Sequence, residues 1–262
     1  MSTASFEDVV QRLRRATHVV ALTGAGVSAA SGIPTFRGPN GLWKKVRPET
    51  LATPEAFAND PTLVWEWYDW RRGVVQQAQP NPAHHVLARW TRERAGFMLV
   101  TQNVDGLHER AGADRLVRLH GSIWHVRCST PCDAGRTDWL DATVPLPRLP
   151  PPCPHCGGFV RPAVVWFGEP LDPQVLLRAS HVAEAAEVFM VIGTSSVVYP
   201  AAGLVHHARR HGAFTVELNT EATAISTDVD ASVIGPAADS LSRLDAAAGS
   251  DAGTSARARH TG

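Results

Sequence analysis

The sequence lacks any excess of charge of one sign, and this limits the partners that we expect for it. Lysine and arginine together number 25, as do aspartate and glutamate, so the formal net charge is zero. A balanced chain has no bulk electrostatic attraction to nucleic acid or to an anionic membrane. We therefore expect a protein that binds neither.

Long apolar runs and internal repeats are absent as well. No uninterrupted apolar stretch reaches the length of about 18 residues that indicates a membrane-spanning helix. The first 15 residues lack the basic flank and apolar core of a secretory signal. We expect a cytoplasmic protein, and its 262 residues, 44% of them hydrophobic, suit one large domain or a large domain with a small insert.

What the chain does contain is an alternation of apolar runs with helical patterns. Apolar runs that end in glycine or polar residues predict buried strands in HVVALTGAG, FMLVTQNVDG, EVFMVIGTS and AFTVELN. Helical patterns lie between them, at residues 5–16, 61–79, 82–94 and 173–186. The alternation predicts an α/β fold, a doubly wound parallel sheet with helices on both faces.

Two further segments are a strand in the second half of the chain and the C-terminal tail. PAVVWFGE reads as another strand, ending near Glu169. Residues 245–262 are mostly small or polar, which predicts a disordered tail after a folded domain of residues 1–244.

Polar turns follow several of the predicted strands. In open α/β sheets, ligands bind at the carboxyl ends of the strands. We therefore expect one binding cleft, formed by the turns Gly24–Ser28, Gln102–Asp105 and Gly193–Ser196 and by Asn219.

The first of these turns has the pattern G-x-G-x-x-A, formed by Gly24, Gly26 and Ala29. Such a turn allows the backbone to approach a pyrophosphate, although by itself it also fits a plain strand-to-helix connection. A dehydrogenase would carry an acidic residue about 20 residues later, at the end of a second strand. That distance here falls in a Pro/Gly-rich loop, which disfavours an oxidoreductase.

Four cysteines form two close pairs. Cys128 and Cys132 are separated from Cys153 and Cys156 by 20 residues. Paired cysteines in a reducing compartment predict one tetrahedral Zn²⁺, and a four-thiolate site is closed and therefore structural. We expect a zinc ribbon at about residues 124–162. Four ordinary buried thiols remain the alternative, and His125 and His155 are possible substitute ligands.

Several motifs occur together in one known family. In chain order they are GAGVSAASGIPTFRG (Gly24 to Gly38), TQNVDGLH, LHGS, the paired cysteines, VVWFGE, GTSS and ELN. Over about residues 10–244 the sequence resembles the sirtuins. The resemblance implies a Rossmann-like sheet with a small inserted zinc-binding module. It also implies an NAD-dependent protein-lysine deacylase that acts as a monomer.

The resemblance further implies that NAD is the co-substrate. Its pyrophosphate would lie near the glycine-rich turn, and its nicotinamide half near the turn after the second strand. The implied cofactor-binding residues are Gly24, Ala25, Gly26, Ser28, Phe36, Arg37, Trp43, Gln102, Asn103, Asp105, Gly193, Thr194, Ser195, Asn219, Glu221 and Ala237.

His120 and Asn103 are the implied catalytic residues. The acyl oxygen of the substrate would attack the ribose C1′ as nicotinamide leaves, and His120 would take a proton from a ribose hydroxyl. Histidine suits a base near neutral pH. A structural histidine is the alternative, since the chain has 12. Five others lie in helical surface patterns and have no predicted role: His84, His85, His206, His207 and His211.

Tyr68 and Arg71 are three residues apart on one predicted helical face. A phenol and a guanidinium suit the distal carboxylate of an acyl chain. The pair resembles that of sirtuins that remove succinyl and malonyl groups, and Thr35 replaces the aspartate that many sirtuins carry in the cofactor loop. The alternative is a surface arginine beside a core tyrosine.

The acylated protein is expected to add as a strand to the segment Val165, Trp166, Phe167, Gly168 and Glu169. Glu169 also reads as a solvated charge at a strand end. Two other functions stay open: mono-ADP-ribosyl transfer, which shares the cleavage of NAD, and a non-catalytic zinc-ribbon binding module.

Overall fold

A parallel sheet of six strands lies at the centre of the fold. The computed structural model describes residues 4–35, 47–130, 132 and 137–249. The strands are β1 (Val19–Thr23), β2 (Phe97–Thr101), β3 (Leu116–Arg118), β4 (Gly121–Cys128), β5 (Trp139–Leu140), β6 (Val160–Val164), β7 (Val188–Ile192), β8 (Phe214–Asn219) and β9 (Ala231–Ile234). The helices are α1 (Phe6–Arg15), α2 (Pro48–Leu51), α3 (Pro54–Asn59), α4 (Pro61–Gln77), α5 (Pro82–Glu93), α6 (Leu107–Arg110), α7 (Pro173–Glu184), α8 (Gly203–Arg210) and α9 (Ala237–Gly249).

The strand order of the large sheet is β3-β2-β1-β7-β8-β9. All neighbours are parallel, and Ala21 in β1 pairs with Leu99 on one side and Met190 on the other. Strands β1 and β7 are buried along their whole length, which explains why they are continuous apolar runs. The predicted doubly wound parallel sheet is confirmed, with its order reversing beside β1.

Helices cover both faces of this sheet. On one face, α1, α5 and α9 bury an apolar cluster that includes Leu13, Leu87 and Leu241. On the other face, α7 and α8 pack closely because small residues such as Ala179 and Ala208 lie between them. Among the described residues, no helix is both long and apolar enough to cross a bilayer.

A second layer is built around a three-stranded antiparallel sheet of order β5-β4-β6. Helix α4 begins after Asp60, whose carboxylate accepts from the Leu63 amide, and packs against this sheet. The Trp65 indole donates to the Val160 carbonyl at 2.8 Å, which fixes α4 to β6. The second layer therefore contains helix α4 as well as the inserted module that was predicted from the cysteines.

The predicted strand PAVVWFGE is shorter than expected, because β6 ends at Val164. The Glu169 amide donates to the Trp166 carbonyl at 3.0 Å, and Gly168 has φ +87°. This bond and the left-handed backbone of Gly168 make residues 166–169 a hydrogen-bonded turn, so the chain does not continue as a strand to Glu169.

The prediction that disorder begins at Asp245 was wrong. Helix α9 continues to Gly249, and the Asp245 carboxylate accepts from the Arg89 guanidinium and, at 2.9 Å, from the Trp90 indole. Alanine-rich composition suggested disorder, but alanine is also the best helix former, and these partners lie on a distant helix. Residues 250–262 lie outside the described residues.

Candidate active site

The turns that follow β1 and β7 touch each other at their backbones. The Gly26 amide donates to the Gly193 carbonyl at 2.8 Å. A Cβ added to Gly26 would lie 2.8 Å from the Gly193 Cα, and one added to Gly24 would lie 2.6 Å from the Thr194 Cβ. The turns can meet only because glycine occupies both positions of the first one.

Unpaired backbone amides line the junction of these turns. Within the described part of the chain, the N–H groups of Ala25, Thr194 and Ser195 have no acceptor. The Ser196 hydroxyl is buried and likewise has no partner among the described residues. Several free N–H groups at adjacent turns suit an anion, so the junction fits the pyrophosphate of a dinucleotide.

The turn after β2 is joined to the same junction. The Gln102 side chain donates to the Thr194 hydroxyl at 3.2 Å, and the Asn103 side chain donates to the Gly24 carbonyl at 3.1 Å. Residues from β1, β2 and β7, predicted to form one cleft, therefore lie together at the carboxyl edge of the sheet.

Asp105 is buried at the base of the cleft, with 5% of its surface exposed. Its carboxylate accepts from the Ser28 hydroxyl at 2.8 Å and from the Leu107 amide at 2.9 Å. Two donors within the protein hold the carboxylate in one orientation, which is what a group that positions a ligand needs.

His120 stands between β3 and β4, beside the turn after β2. Its Nδ1 donates to the Gln102 carbonyl at 3.1 Å, because a carbonyl oxygen can only accept. The second nitrogen, Nε2, is therefore left without a proton in the neutral ring. Burial lowers the pKa of His120, and the bond to Gln102 opposes this only in part. The imidazole is a neutral base near pH 7.

Two buried histidines below the cleft were missed by the sequence analysis. His84, predicted to be a surface residue, is fully buried, and burial lowers its pKa to about 4. The Asn81 amide donates to its Nδ1, so its Nε2 carries the proton and faces the Ser28 hydroxyl at 3.4 Å. His84, Ser28 and Asp105 thus form one hydrogen-bonded chain.

His108 lies against His84, with ring centroids 4.9 Å apart. Burial lowers its pKa to about 3, and its Nε2 bonds the Thr23 hydroxyl at 3.0 Å. Both rings are neutral supports of the cleft floor. A sequence signal existed for His84, since it falls on the stripe of Leu87, Ala88 and Thr91 that α5 buries.

The far end of the cleft follows β7 and β8. The Asn219 side chain donates to the Thr194 carbonyl at 2.9 Å, which places it at the predicted adenosine end. Glu221 is exposed two residues after β8. Ala237 begins α9 and is buried in the apolar cluster beneath that helix, and its contact with adenine stays a prediction.

The predicted clamp residues Tyr68 and Arg71 are both buried on α4, at 3% and 7% exposure. The alternative of a surface arginine is therefore wrong. Burial lowers the pKa of Arg71, while the Asp105 carboxylate opposes this shift. Both members of the predicted pair are therefore withdrawn from bulk solvent on one helix.

The segment predicted to receive the substrate is tied to this clamp. The Trp166 indole donates to the Tyr68 hydroxyl at 2.9 Å. Among the described residues, none accepts the proton of that hydroxyl, which stays available to a ligand. The Val165 amide donates to the His120 carbonyl at 3.0 Å, so the segment also borders His120.

Glu169 is not the solvated charge that the sequence suggested. Its carboxylate forms two bonds with the Arg161 guanidinium, at 2.5 and 2.9 Å, and accepts from the Trp166 amide at 2.8 Å. These bonds lower the pKa of Glu169 against the opposing effect of burial. The carboxylate anchors the turn, while Phe167 is 41% exposed.

The four cysteines come together as predicted. Their sulfur atoms all lie within 4.8 Å of one another, with Cys128 and Cys156 3.5 Å apart and Cys132 and Cys153 4.0 Å apart. Sulfurs that each lie about 2.3 Å from one tetrahedral zinc are about 3.8 Å apart. The thiols fit a structural Zn²⁺, and neither His125 nor His155 belongs to the cluster. Phe36, Arg37 and Trp43, predicted to contact NAD, lie outside the described residues.

Known proteins match this arrangement. The model of the Sir2 family matches residues 24–200. An NAD-dependent protein deacylase of Aquifex aeolicus (strain VF5) is 54% identical over 213 residues, which are 81% of this chain and 87% of that protein.

Solved structures agree with the sequence match. A Sir2 homologue in complex with NAD is 45% identical, with a TM-score of 0.87 over 93% of this chain and 94% of that chain. A mutant Sir2 homologue in complex with 2′-O-acetyl ADP ribose is 44% identical, with a TM-score of 0.88 over 93% of this chain and 96% of that chain. The resemblance drawn from the sequence motifs is therefore confirmed, and the chain belongs to the Sir2 (sirtuin) family.

Proposed function

We propose that this protein is an NAD-dependent protein-lysine deacylase. The observation that carries the proposal is the state of His120, whose Nε2 is free of a proton beside the dinucleotide-binding turns. The Aquifex relative is named a deacylase, and a similar solved protein binds 2′-O-acetyl ADP ribose. That compound is the kind of product that transfer of an acyl group to ADP-ribose yields.

Each group of residues in the cleft has a separate role in such a reaction. NAD supplies an activated ribose carbon and nicotinamide as the leaving group. The free amides of Ala25, Thr194 and Ser195 hold the pyrophosphate. Asn103 and Asp105 orient the nicotinamide half through amide and carboxylate groups. His120 accepts a ribose hydroxyl proton at Nε2, so that this oxygen forms a bond to the acyl carbon. The bond between that carbon and the lysine nitrogen then breaks, and with one water consumed overall the products are free lysine and O-acyl-ADP-ribose.

The acyl preference follows from the clamp on α4. Arg71 is cationic at any physiological pH, and the Tyr68 hydroxyl has a proton to donate. Together they suit a carboxylate at the far end of the acyl chain, since arginine binds carboxylates through paired, charge-assisted bonds. The proposed substrates are succinyl-lysine and malonyl-lysine, with acetyl-lysine accepted less well.

The acylated protein binds, in this proposal, along residues 165–168. Glu169 and Arg161 fix this turn from beneath, and the exposed Phe167 offers an apolar contact to the peptide. The amides of Val165, Trp166 and Phe167 are already bonded within the chain, so the peptide forms hydrogen bonds to the backbone carbonyls of this segment. Recognition through backbone bonds gives affinity with little side-chain selectivity. Broad protein substrates are the consequence.

The clamp is tested by Arg71→Met. The variant keeps the apolar stem but loses the bonds to a distal carboxylate, each of which contributes about 1.5–3 kcal/mol. We expect kcat/KM for a succinyl-lysine peptide to fall about tenfold to a hundredfold, because 1.4 kcal/mol corresponds to a factor of ten.

The same variant carries its own control. Acetyl-lysine has no distal carboxylate, so kcat/KM for the acetyl peptide should change less than threefold. Tyr68→Phe should show the same pattern more weakly. Unchanged succinyl turnover in Arg71→Met, or an equal loss with both peptides, would show that the pair does not select the acyl chain.

A further inference from the structure

On the face of the large sheet that α7 and α8 cover, the carboxyl ends of these two helices bring one carboxylate and two imidazoles together. Glu184 is the last residue of α7, His207 lies in the last turn of α8, and His211 follows that helix as its cap. One ligand atom from each side chain lies within 4.8 Å of the others. Neither the dinucleotide cleft nor the acyl clamp uses any of the three residues.

The backbone determines this grouping. His207 and His211 are four residues apart, so their rings lie on one side of the helix, with centroids 4.5 Å apart. Helix α8 packs on α7 through small residues such as Ala183 and Ala208. This contact places the end of α7 opposite the two rings, with the Glu184 carboxylate 3.5 Å from the His211 Nε2 and 4.0 Å from the His207 Nε2.

Hydrogen bonding leaves the ring nitrogens ready to bind a cation. The His211 Nδ1 donates to the His207 carbonyl at 2.9 Å, so its Nε2 carries a free lone pair in the neutral ring. The His207 Nε2 is buried and has no hydrogen-bond partner among the described residues. Histidines that bind metals commonly have one nitrogen on a backbone carbonyl and the other on the ion.

The distances argue against a plain hydrogen-bonded ion pair. Separations of 3.5 and 4.0 Å exceed the usual range of about 2.7–3.2 Å for hydrogen bonds between nitrogen and oxygen. Ligand atoms that share one tetrahedral zinc are about 3.3–3.6 Å apart, since each lies about 2.0–2.2 Å from the ion. Small rotations of these partly exposed side chains would bring the three groups to that spacing.

The local charge also favours a cation. Both helices present their carboxyl ends here, where the backbone carries partial negative charge, and Glu184 adds a full one. The neighbouring Arg209 guanidinium is held elsewhere by a bond to the Asp228 carbonyl. The Glu184 and His211 side chains are 50% and 38% exposed, so an ion can reach them from solvent, and rotation of the 28% exposed His207 side chain would bring its buried Nε2 to the ion.

We propose that Glu184, His207 and His211 form a second metal site, separate from the four cysteines, for a divalent transition metal such as Zn²⁺ or Ni²⁺. Two imidazoles and a carboxylate suit these ions, and water fills the remaining coordination positions. Because the ligands come from two helices, the bound ion joins the end of α7 to the end of α8 and stabilises the folded state.

The test uses tag-free, full-length protein whose cysteine site is already loaded with zinc. Ni²⁺ is titrated by calorimetry, and thermal unfolding is followed with and without it. We expect one further equivalent to bind, together with a rise in Tm. His207→Ala and His211→Ala should each weaken binding at least tenfold and remove the rise.

His206→Ala is the matched control, because it removes a histidine of the same helix that is not part of the group. It should bind Ni²⁺ like the unaltered protein. Equal nickel-free Tm values would show that all three variants fold. The proposal is overturned if the zinc-loaded protein binds no Ni²⁺, or if His206→Ala weakens binding as much as the other two variants.

Discussion

His120 can act as a base only if one ring nitrogen lacks a proton, and the Gln102 carbonyl determines which nitrogen that is. The bond at 3.1 Å keeps the proton on Nδ1. Burial lowers the pKa of the ring, because it disfavours the charged form. The free base therefore persists at lower pH than it does in an exposed histidine.

This shift predicts the acidic limb of the pH profile. In the proposed mechanism the unprotonated ring is the active form, so kcat/KM should fall as the pH drops through the pKa of His120. Since that pKa is lowered, the midpoint should lie below the ordinary histidine value of 6.5. The measurement is kcat/KM for an acyl-lysine peptide against pH, which reports groups of the free enzyme.

A variant separates His120 from the other histidines. His120→Ala should lower kcat about a hundredfold to ten-thousandfold, the usual contribution of a general base, with Tm nearly unchanged. His85→Ala, at an exposed position of α5, should leave the rate intact. A midpoint above 6.5, or a fully active His120→Ala, would remove His120 from the mechanism.

Single residues differ in how far the sequence reveals them. His120 and the four cysteines could be identified because each lies in a local motif with defined spacing. His84 could not be assigned with the same ease, because its role depends on Ser28 and Asp105, which lie on other parts of the chain. The tautomer of His120 likewise depends on a carbonyl 18 residues away.

At the scale of elements, the site depends on how closely the turns after β1 and β7 approach. Gly26→Ala tests this contact, since its Cβ would lie 2.8 Å from both the Gly193 Cα and carbonyl oxygen. Backbone must move to relieve such a clash, at a cost of about 1–3 kcal/mol. We expect at least a tenfold rise in KM for NAD and a lower Tm.

Gly73→Ala provides the comparison for this substitution. Gly73 lies inside α4, and of the residues that the structure describes an added Cβ would meet only the Val144 side chain, at 4.0 Å. Alanine in a helix interior is more stable than glycine by about 0.5–1 kcal/mol. Its KM for NAD should be unchanged and its Tm slightly raised. If Gly26→Ala binds NAD normally, the turn contact is not needed for the cofactor.

Elements could be predicted where local pattern decides them. Buried parallel strands such as β1 and β7 are continuous apolar runs, and their positions followed from the sequence. The end of β6 and the end of α9 did not, because each depends on side-chain bonds that the local apolar pattern does not indicate. Arg161 and Glu169 fix the turn after β6, whereas Arg89 and Trp90 bind Asp245 in α9.

At the scale of the whole molecule, the zinc-binding layer and the clamp share one core. Cys128 and Cys153 belong to the same apolar cluster as Tyr68 and Trp166. The dinucleotide-binding turns belong to the large sheet instead. Loss of zinc should therefore disturb the acyl end of the cleft more than the cofactor end.

Chelation of the metal tests this division. Stripping zinc should lower Tm and abolish removal of succinyl groups, while NAD binding measured by calorimetry weakens less than tenfold. Added zinc should restore the chelated protein but not Cys153→Ser, which lacks one of the four thiolates that the site needs. Full activity and an unchanged Tm after chelation would contradict a structural role for the metal.

The most direct test of the account is a mass balance on a succinyl-lysine peptide incubated with and without NAD. We predict that the succinyl group leaves only when NAD is present, with free peptide, nicotinamide and O-succinyl-ADP-ribose formed in equal amounts. Removal of the group without NAD, or transfer of ADP-ribose to protein in place of O-succinyl-ADP-ribose, would contradict it.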